Sequence, residues 1–466
     1  MGKCNFRVWS VFRNQVIATV TATLSVLAGG IHTGWTSPSL PKLLADDSDL
    51  PVTSDQCSWI ASINAVSNIP GAFFAGAIVN RWGRKFALLL TAFPCIAAWV
   101  LIMSAQNYLW LYVARMLSGI GNGMTGTILP MYLGEIAQDD VRGAFGLMNH
   151  SMMSLGMLIS YSTGPWVSRA HLAVVGIVMS SIFVLTFFWM PETPHFLVTK
   201  EPEDARKSLE WLRGNSDVAE EVKNIKITVE FDREIACTTT SDILSEPGNR
   251  KALSIATVLM IGQQVSGIGA VNSYSGIILS KTGSTLDVGF LIIIIGLVQL
   301  MGGLLSMFTV DHAGRRPVLL FSVFGSIVFL VGEALYFQLE ASGIDVRSLS
   351  WLPSTSMVGY MVSYSIGLGS LASVVISEIF SYNIKAIASI WAMAVSSVSA
   401  MTVTKLYQVI ADAYGIHTAF WGFALATLFT GSFLYFFLPE TKQRSLGEIQ
   451  AELRGTKKTD TVADNP

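Results

Sequence analysis

Twelve times along its 466 residues the chain runs apolar for about twenty residues with few charges, the length an α-helix needs to cross a hydrocarbon layer about 30 Å thick. Water is absent from that layer, so every backbone N–H and C=O must be satisfied within the protein. Runs of this length meet the demand as helices. They lie at 16–36, 57–79, 86–104, 109–133, 146–166, 172–190, 253–279, 289–310, 317–339, 352–380, 386–411 and 418–438. The composition agrees: 51% of residues are hydrophobic and 13% charged, with a mean hydropathy of +0.52, against about 25% charged in a soluble domain. The first run is too long for a cleaved signal peptide, and eleven more follow it. The expected fold is an all-α membrane protein of twelve transmembrane helices.

Basic residues set the orientation. An even number of spans puts both termini on one side, and Lys3, Arg7 and Arg13 mark that side as cytoplasmic. The same face collects 24 of the 30 Lys and Arg residues, while the first outer loop carries Asp46, Asp47, Asp49 and Asp55. With a net charge of −2 and its bases spent on topology, the chain offers no surface for nucleic acid. Its four cysteines predict no external disulfide, since of these Cys57 alone reaches the outer face. No Gly-x-x-x-x-Gly-Lys-[Ser/Thr] loop is present to bind ATP, and nothing suggests an enzyme, a metal or a cofactor.

The chain is also written twice. Arg81-Trp82-Gly83-Arg84-Lys85 is answered by His312-Ala313-Gly314-Arg315-Arg316, Glu135 to Arg142 by Glu378 to Lys385, and Pro191-Glu192-Thr193 by Pro439-Glu440-Thr441. The offsets, 231, 243 and 248 residues, are nearly constant. Two six-helix bundles in parallel orientation are the architecture of a carrier that rocks about a central site. The expected division is a cytoplasmic tail at 1–15, bundles at 16–190 and 253–438, a cytoplasmic linker at 191–252 and a second tail at 439–466. Within the linker, Pro202 to Gly214 has the pattern of an amphipathic helix, with Ala205, Leu209 and Leu212 on one face.

The repeated motifs place carboxylates and guanidinium groups at the cytoplasmic helix ends, where topology alone needs only bases. A carboxylate and an arginine there can pair with fixed geometry. The expected gate is Arg84, Glu135, Arg142 and Glu192 in the first half with Asp311, Arg315, Glu378, Lys385 and Glu440 in the second. Latching them would close the inner side, and breaking the latch would be one step of alternating access.

These motifs, with Pro130-Met131-Tyr132-Leu133-Gly134-Glu135, Arg142-Gly143-Ala144 and Gln263-Gln264-Val265-Ser266-Gly267-Ile268, carry a resemblance to the sugar porter family of the major facilitator superfamily over residues 16–450. Gly34-Trp35-Thr36-Ser37-Pro38 and Val403-Thr404-Lys405 are similar to the insect branch that includes facilitated trehalose transporters. The resemblance implies facilitated diffusion of a hexose or trehalose-like sugar by a monomer in the plasma membrane, with the sugar and the lipid bilayer as partners. Proton-coupled symport and a non-transporting sugar sensor are the alternatives. The short stretch after the last span favours a carrier over a sensor.

A sugar needs amides and hydroxyls at its rim and an aromatic group at its face. Through the resemblance Gln263 and Gln264 are the sugar-binding glutamines, and Gln299 fits the same role. Asn272, with Tyr274 two residues on, shares nearly the helix face of Gly269, where the family carries Asn. Tyr161 stands where the family has Gln. The family pattern Gly-Pro-x-Pro-Trp aligns with Gly367-Leu368-Gly369-Ser370-Leu371-Ala372-Ser373, so both prolines and the Trp are gone. Span 10 is therefore expected to be straighter, with Gly367 and Gly369 as a weaker hinge, and Trp391 replaces part of the lost aromatic surface. His32 occupies the place of an acid in proton-coupled relatives, and Arg115 matches a family Arg; together they are the candidate for proton coupling. Lys405 inside span 11 should face the interior, a partner or water.

Overall fold

The computed structural model describes residues 2–215, 217–235, 247–282, 286–380, 382–442, 444, 448–449 and 452. Among these every regular element is a helix, without a strand. Ten helical segments are long and apolar enough to cross a membrane. The runs at 109–133 and 146–166 also form unbroken helices, Tyr108–Ile136 and Asp139–Thr163, but Arg115 and Asn122 in one and Asn149 and His150 in the other dilute their apolar character.

The helices are α1 (Gly2–Gly34), α2 (Thr36–Leu44), α3 (Ser54–Trp82), α4 (Arg84–Leu90), α5 (Ala92–Ser104), α6 (Tyr108–Ile136), α7 (Asp139–Thr163), α8 (Arg169–Phe187), α9 (Pro194–Leu197), α10 (Pro202–Arg213), α11 (Ala219–Ile235), α12 (Pro247–Val265), α13 (Ile268–Ser280), α14 (Val288–Ala313), α15 (Arg315–Ala341), α16 (Trp351–Ile366), α17 (Leu368–Ile379), α18 (Tyr382–Tyr414) and α19 (Ile416–Phe437). Local chemistry sets their ends. Thr53 and Gln56 close a capping box at the start of α3, Ser168 caps α8 through the His171 amide, and Gly214 at φ 63° stops α10. The linker helix thus ends where its pattern ends.

Contacts group the chain into two compact units. The first contains Met1–Glu234, Gly269–Leu300 and Ala400–Asp412; the second contains Ile235–Ile268, Met301–Ser399 and Ala413–Pro466. In the first unit α3 and α6 lie so close that a Cβ on Gly119 or Gly123 would strike the carbonyls of Asn64 or Asn68. Small residues permit this approach where lipid supplies no hydrophobic drive. Phe183, Phe187, Tyr132 and Ile128 fill the core beside it. In the second unit α15 packs on α16 and α19, with Phe337 stacked 6.2 Å from Phe420.

α10 is docked rather than floating. Ser208 donates to the Glu192 carbonyl at 2.6 Å, Asn14 donates to the Trp211 carbonyl at 2.6 Å, and Arg213 joins the Ile136 carbonyl at 2.9 Å while pairing with Glu221 at 2.7 Å. Of the expected tail at 439–466, residues 453–466 lie outside the described residues, as does Cys237.

Candidate functional site

The repeated motifs build the same small structure twice. In the first unit Gly83, at φ 94°, turns α3 into α4. The Glu192 carboxylate caps that turn, accepting from the amides of Arg84 and Lys85 at 3.0 Å and of Thr193 at 2.9 Å. Arg84 pairs with Glu135 at 2.8 Å and lies 5.4 Å from the Phe196 ring centroid. In the second unit Gly314, at φ 92°, precedes α15. Glu440 accepts from the amides of Arg315 at 2.9 Å, Arg316 at 3.0 Å, Thr441 at 3.0 Å and Lys442 at 2.9 Å. Arg315 pairs with Glu378 at 3.0 Å, whose other oxygen accepts from the Thr441 hydroxyl at 2.5 Å. A carboxylate at a helix N-terminus gains from both the free amides and the helix dipole. The side chains of Arg142, Asp311 and Lys385 lie outside the described set.

The two capping carboxylates differ in charge balance. Burial pushes the Glu192 carboxyl up, and the amides of Thr193, Lys85 and Arg84 with the Arg84 charge offset this only in part. Burial also pushes Glu440 up, but the amides of Lys442, Arg315, Arg316 and Thr441 outweigh it and hold the group below its ordinary value.

The candidate sugar contacts divide between the units. In the second, Gln263 Nε2 donates to the Leu368 carbonyl at 2.9 Å, and Gln264 Nε2 donates to Ser396 Oγ at 3.0 Å. Trp391 is 48% exposed, and its indole N–H is held by Thr257 Oγ1 at 3.0 Å, so it stands beside α12 six residues before Gln263. In the first, Tyr161 donates to the Asn272 carbonyl at 3.2 Å, and Gln299 reaches Met157 Sδ at 3.9 Å. Asn272 Oδ1, Tyr274 Oη and Gln299 Oε1 are buried without a hydrogen-bond partner. Three such atoms on two successive helices leave unused capacity for hydroxyl groups.

Span 10 is not straight. It breaks at Gly367 (φ −126°, ψ −75°), one of the two glycines expected as a hinge, into α16 and α17 with no proline at the break. Side chains replace the lost backbone bonds: Ser306 donates to the Ile366 carbonyl at 2.9 Å, the Leu368 amide donates to Ser322 Oγ at 3.0 Å, and Gln263 serves the Leu368 carbonyl. Sequence reasoning missed these serines because their spacing on α14 and α15 looks like ordinary packing.

His32 is fully buried and stacks on Trp99 at 3.9 Å. Its Nε2 lies 3.1 Å from the Cys95 carbonyl, which accepts only, so this nitrogen carries the proton. Arg115 does not pair with the His32 ring; it donates to the His32 carbonyl at 2.6 Å and the Ile60 carbonyl at 3.0 Å, with Trp35 5.9 Å away.

Comparison with known proteins decides the family. The sugar (and other) transporter family model matches residues 16–453.

The chain belongs to the sugar transporter family.

Transporters of this family are carriers rather than enzymes. The facilitated trehalose transporter Tret1 of Polypedilum vanderplanki is 34% identical over 446 residues, covering 95% of this chain and 88% of that protein. Its Aedes aegypti counterpart is 33% identical over 95% of this chain, which spans only 55% of that relative's length. Among solved structures, the xylose transporter XylE from E. coli in an inward open conformation superposes with a TM-score of 0.77 at 22% identity, over 93% of this chain and 98% of that one. XylE bound to 6-bromo-6-deoxy-D-glucose gives 0.76 at 21% identity, over 95% and 99%. These structures show a major facilitator fold. The chain is thus a multi-pass membrane transporter of sugars.

Proposed function

We propose that the protein moves a hexose or a trehalose-like disaccharide down its gradient across the plasma membrane, as a monomer working by rocker-switch alternating access. Twelve spans in two six-helix bundles, at 16–190 and 253–438, with the linker at 191–252 and both termini cytoplasmic, are part of this reading. So is an inner gate formed by Arg84, Glu135, Arg142 and Glu192 with Asp311, Arg315, Glu378, Lys385 and Glu440.

The observation that carries the substrate reading is the unused capacity of Asn272 Oδ1, Tyr274 Oη and Gln299 Oε1. Polar atoms at membrane depth are expensive unless they bind something, and neutral amides and phenols suit hydroxyls better than ions. Gln263, Gln264, Tyr161 and Trp391 complete the proposed contacts. The relatives named for trehalose favour a disaccharide. Symport is the weaker reading, because His32 is fully buried with Nε2 held by the Cys95 carbonyl and its ring stacked on Trp99, which leaves Nδ1 alone without a partner.

Uptake of labelled glucose and trehalose into proteoliposomes, with and without a pH gradient, is the test. Saturable trehalose uptake that ignores the gradient is expected. Uptake that follows the gradient and loses this dependence in His32→Asn would replace uniport with symport, and saturable binding without uptake would make the protein a sensor.

A further inference from the structure

Helix α3 ends in the Gly83–Arg84 turn, and 29 residues earlier it begins with Ser54 and Asp55. At this far end the Lys405 ammonium donates to Asp55 Oδ1 and to Ser58 Oγ, each at 2.6 Å, and lies 4.5 Å from the Trp59 ring centroid. One turn along α18, Gln408 donates to Ser54 Oγ and Asp412 Oδ1, each at 2.8 Å. The Ser54 hydroxyl in turn donates to Asp412 Oδ2. The first two turns of α3 are thereby tied to residues some 350 positions later.

The two ends of the ion pair are unequal. The Lys405 side chain is 18% exposed and that of Asp55 is 71% exposed. An ammonium shielded within an apolar helix face needs its partner, while a well-solvated carboxylate can leave at little cost. Lys405 also fills its coordination with an acid, a hydroxyl and a ring face. Other contacts in the first unit act alongside. The hydroxyls of Ser37 and Ser275 meet at 2.5 Å, and Tyr274 packs 5.1 Å from Tyr407. Gly276 lies so close to Ser37 that a Cβ there would strike its carbonyl. This is why Gly269–Leu300 and Ala400–Asp412 belong to the same compact unit as Met1–Glu234.

We propose that Lys405, Asp55, Ser54, Gln408 and Asp412 form a polar lock that seals the outer end of the transport path and must open once in every cycle. The outer placement follows the topology proposed above, in which the Arg84 turn is cytoplasmic. The lock and the Arg84 cluster then sit at opposite ends of α3. Sugar on the outside reaches Asn272, Tyr274 and Gln299 only after Lys405 parts from Asp55.

The chain carries its own reporter. Cys57 lies between Asp55 and Ser58 and is fully buried. In a background of Cys4→Ser, Cys95→Ala and Cys237→Ser, intact cells are treated with a membrane-impermeant maleimide and the rate of Cys57 labelling is read. Lys405→Met and Asp55→Asn are expected to label about tenfold faster than the parent, as local opening becomes more frequent. Lys405→Arg keeps the charge and should label slowly. The exchanged pair Asp55→Lys with Lys405→Asp should fall back toward the parent rate. If Lys405→Met fails to reach the surface, Asp55→Asn and Ser54→Ala carry the comparison. Single variants that label at the parent rate, or an exchange as fast as the singles, overturn the lock. Labelling only by reagent on the cytoplasmic side overturns its outer placement.

Discussion

The Glu192 and Glu440 turns are two answers to one design, and their differences show which parts of it are strict. Both use a glycine near φ 90°, a carboxylate over the next helix N-terminus, and an Arg–Glu pair beside it. In the first unit the fit is tighter. The Arg84–Glu135 side chains are 15% and 16% exposed, against 18% and 26% for Arg315–Glu378. In the second, the neighbouring threonine takes part: Thr441 donates to Glu378, whereas the Thr193 hydroxyl is buried without a partner. Drift has kept the glycine and the capping carboxylate and has varied the hydroxyl and the depth of burial.

Three measurements break or sharpen this comparison. The largest effect is expected at the glycines. A Cβ on Gly83 would strike Glu192 Oε2, whereas on Gly314 it would stand 3.0 Å from Glu440 Oε2. A side chain forced to φ near 90° and ψ near 170° costs about 1–3 kcal/mol at either position, and displacing Glu192 from its amides adds a further ~1–3 kcal/mol. Gly83→Ala should therefore lower the Tm of the purified transporter clearly more than Gly314→Ala; equal losses would show that the two turns are equally loose.

Next comes the threonine. Thr441→Val removes a donor from a partly buried carboxylate and should destabilise by about 1.5–3 kcal/mol. Thr193→Val removes a hydroxyl that bonds nothing and should be neutral. A matching loss in Thr193→Val would mean that its hydroxyl is satisfied in solution.

The smallest effect is a difference of slope with pH. Glu440 is depressed in the fold, so its contribution is present above the unfolded carboxylate value near 4.3 and is lost as pH falls through the folded one. The gap between wild type and Glu440→Gln should shrink on acidification below that value. Glu192 is raised, so its ionised form weighs against the fold. Wild type should gain on Glu192→Gln as pH falls through the folded value toward the unfolded one. Chemical denaturation between about pH 3 and pH 7 compares the two; slopes of the same sign would refute the assignment.

Much of this was legible in the sequence, for reasons of physics. Length and apolarity force helices in lipid, and the pattern of Ala205, Leu209 and Leu212 marked the linker helix to within a residue. The Gly83 and Gly314 turns were legible because they recur. Pairings between distant positions were not. Nothing near Lys405 announces Asp55, and nothing near Gln263 announces a carbonyl in span 10. The expectation of a straighter span 10 followed from its missing prolines and was corrected by Ser306 and Ser322, whose hydroxyls are silent in any one-dimensional pattern. The polar atoms of Asn272 and Gln299 were legible as chemistry, while their lack of partners emerged only in three dimensions.

The break at Gly367 has a consequence for how such a carrier changes over time. A proline crease is all or nothing, because a ring either occupies the helix or does not. Here the bend rests on several separate donations, from Ser306 and Ser370 to the Ile366 carbonyl, from Gln263 and into Ser322. Each can be removed or restored by one substitution that leaves the others in place, so the stiffness of span 10 is set like a rheostat. Selection can adjust this bend in small steps without rebuilding the frame around it.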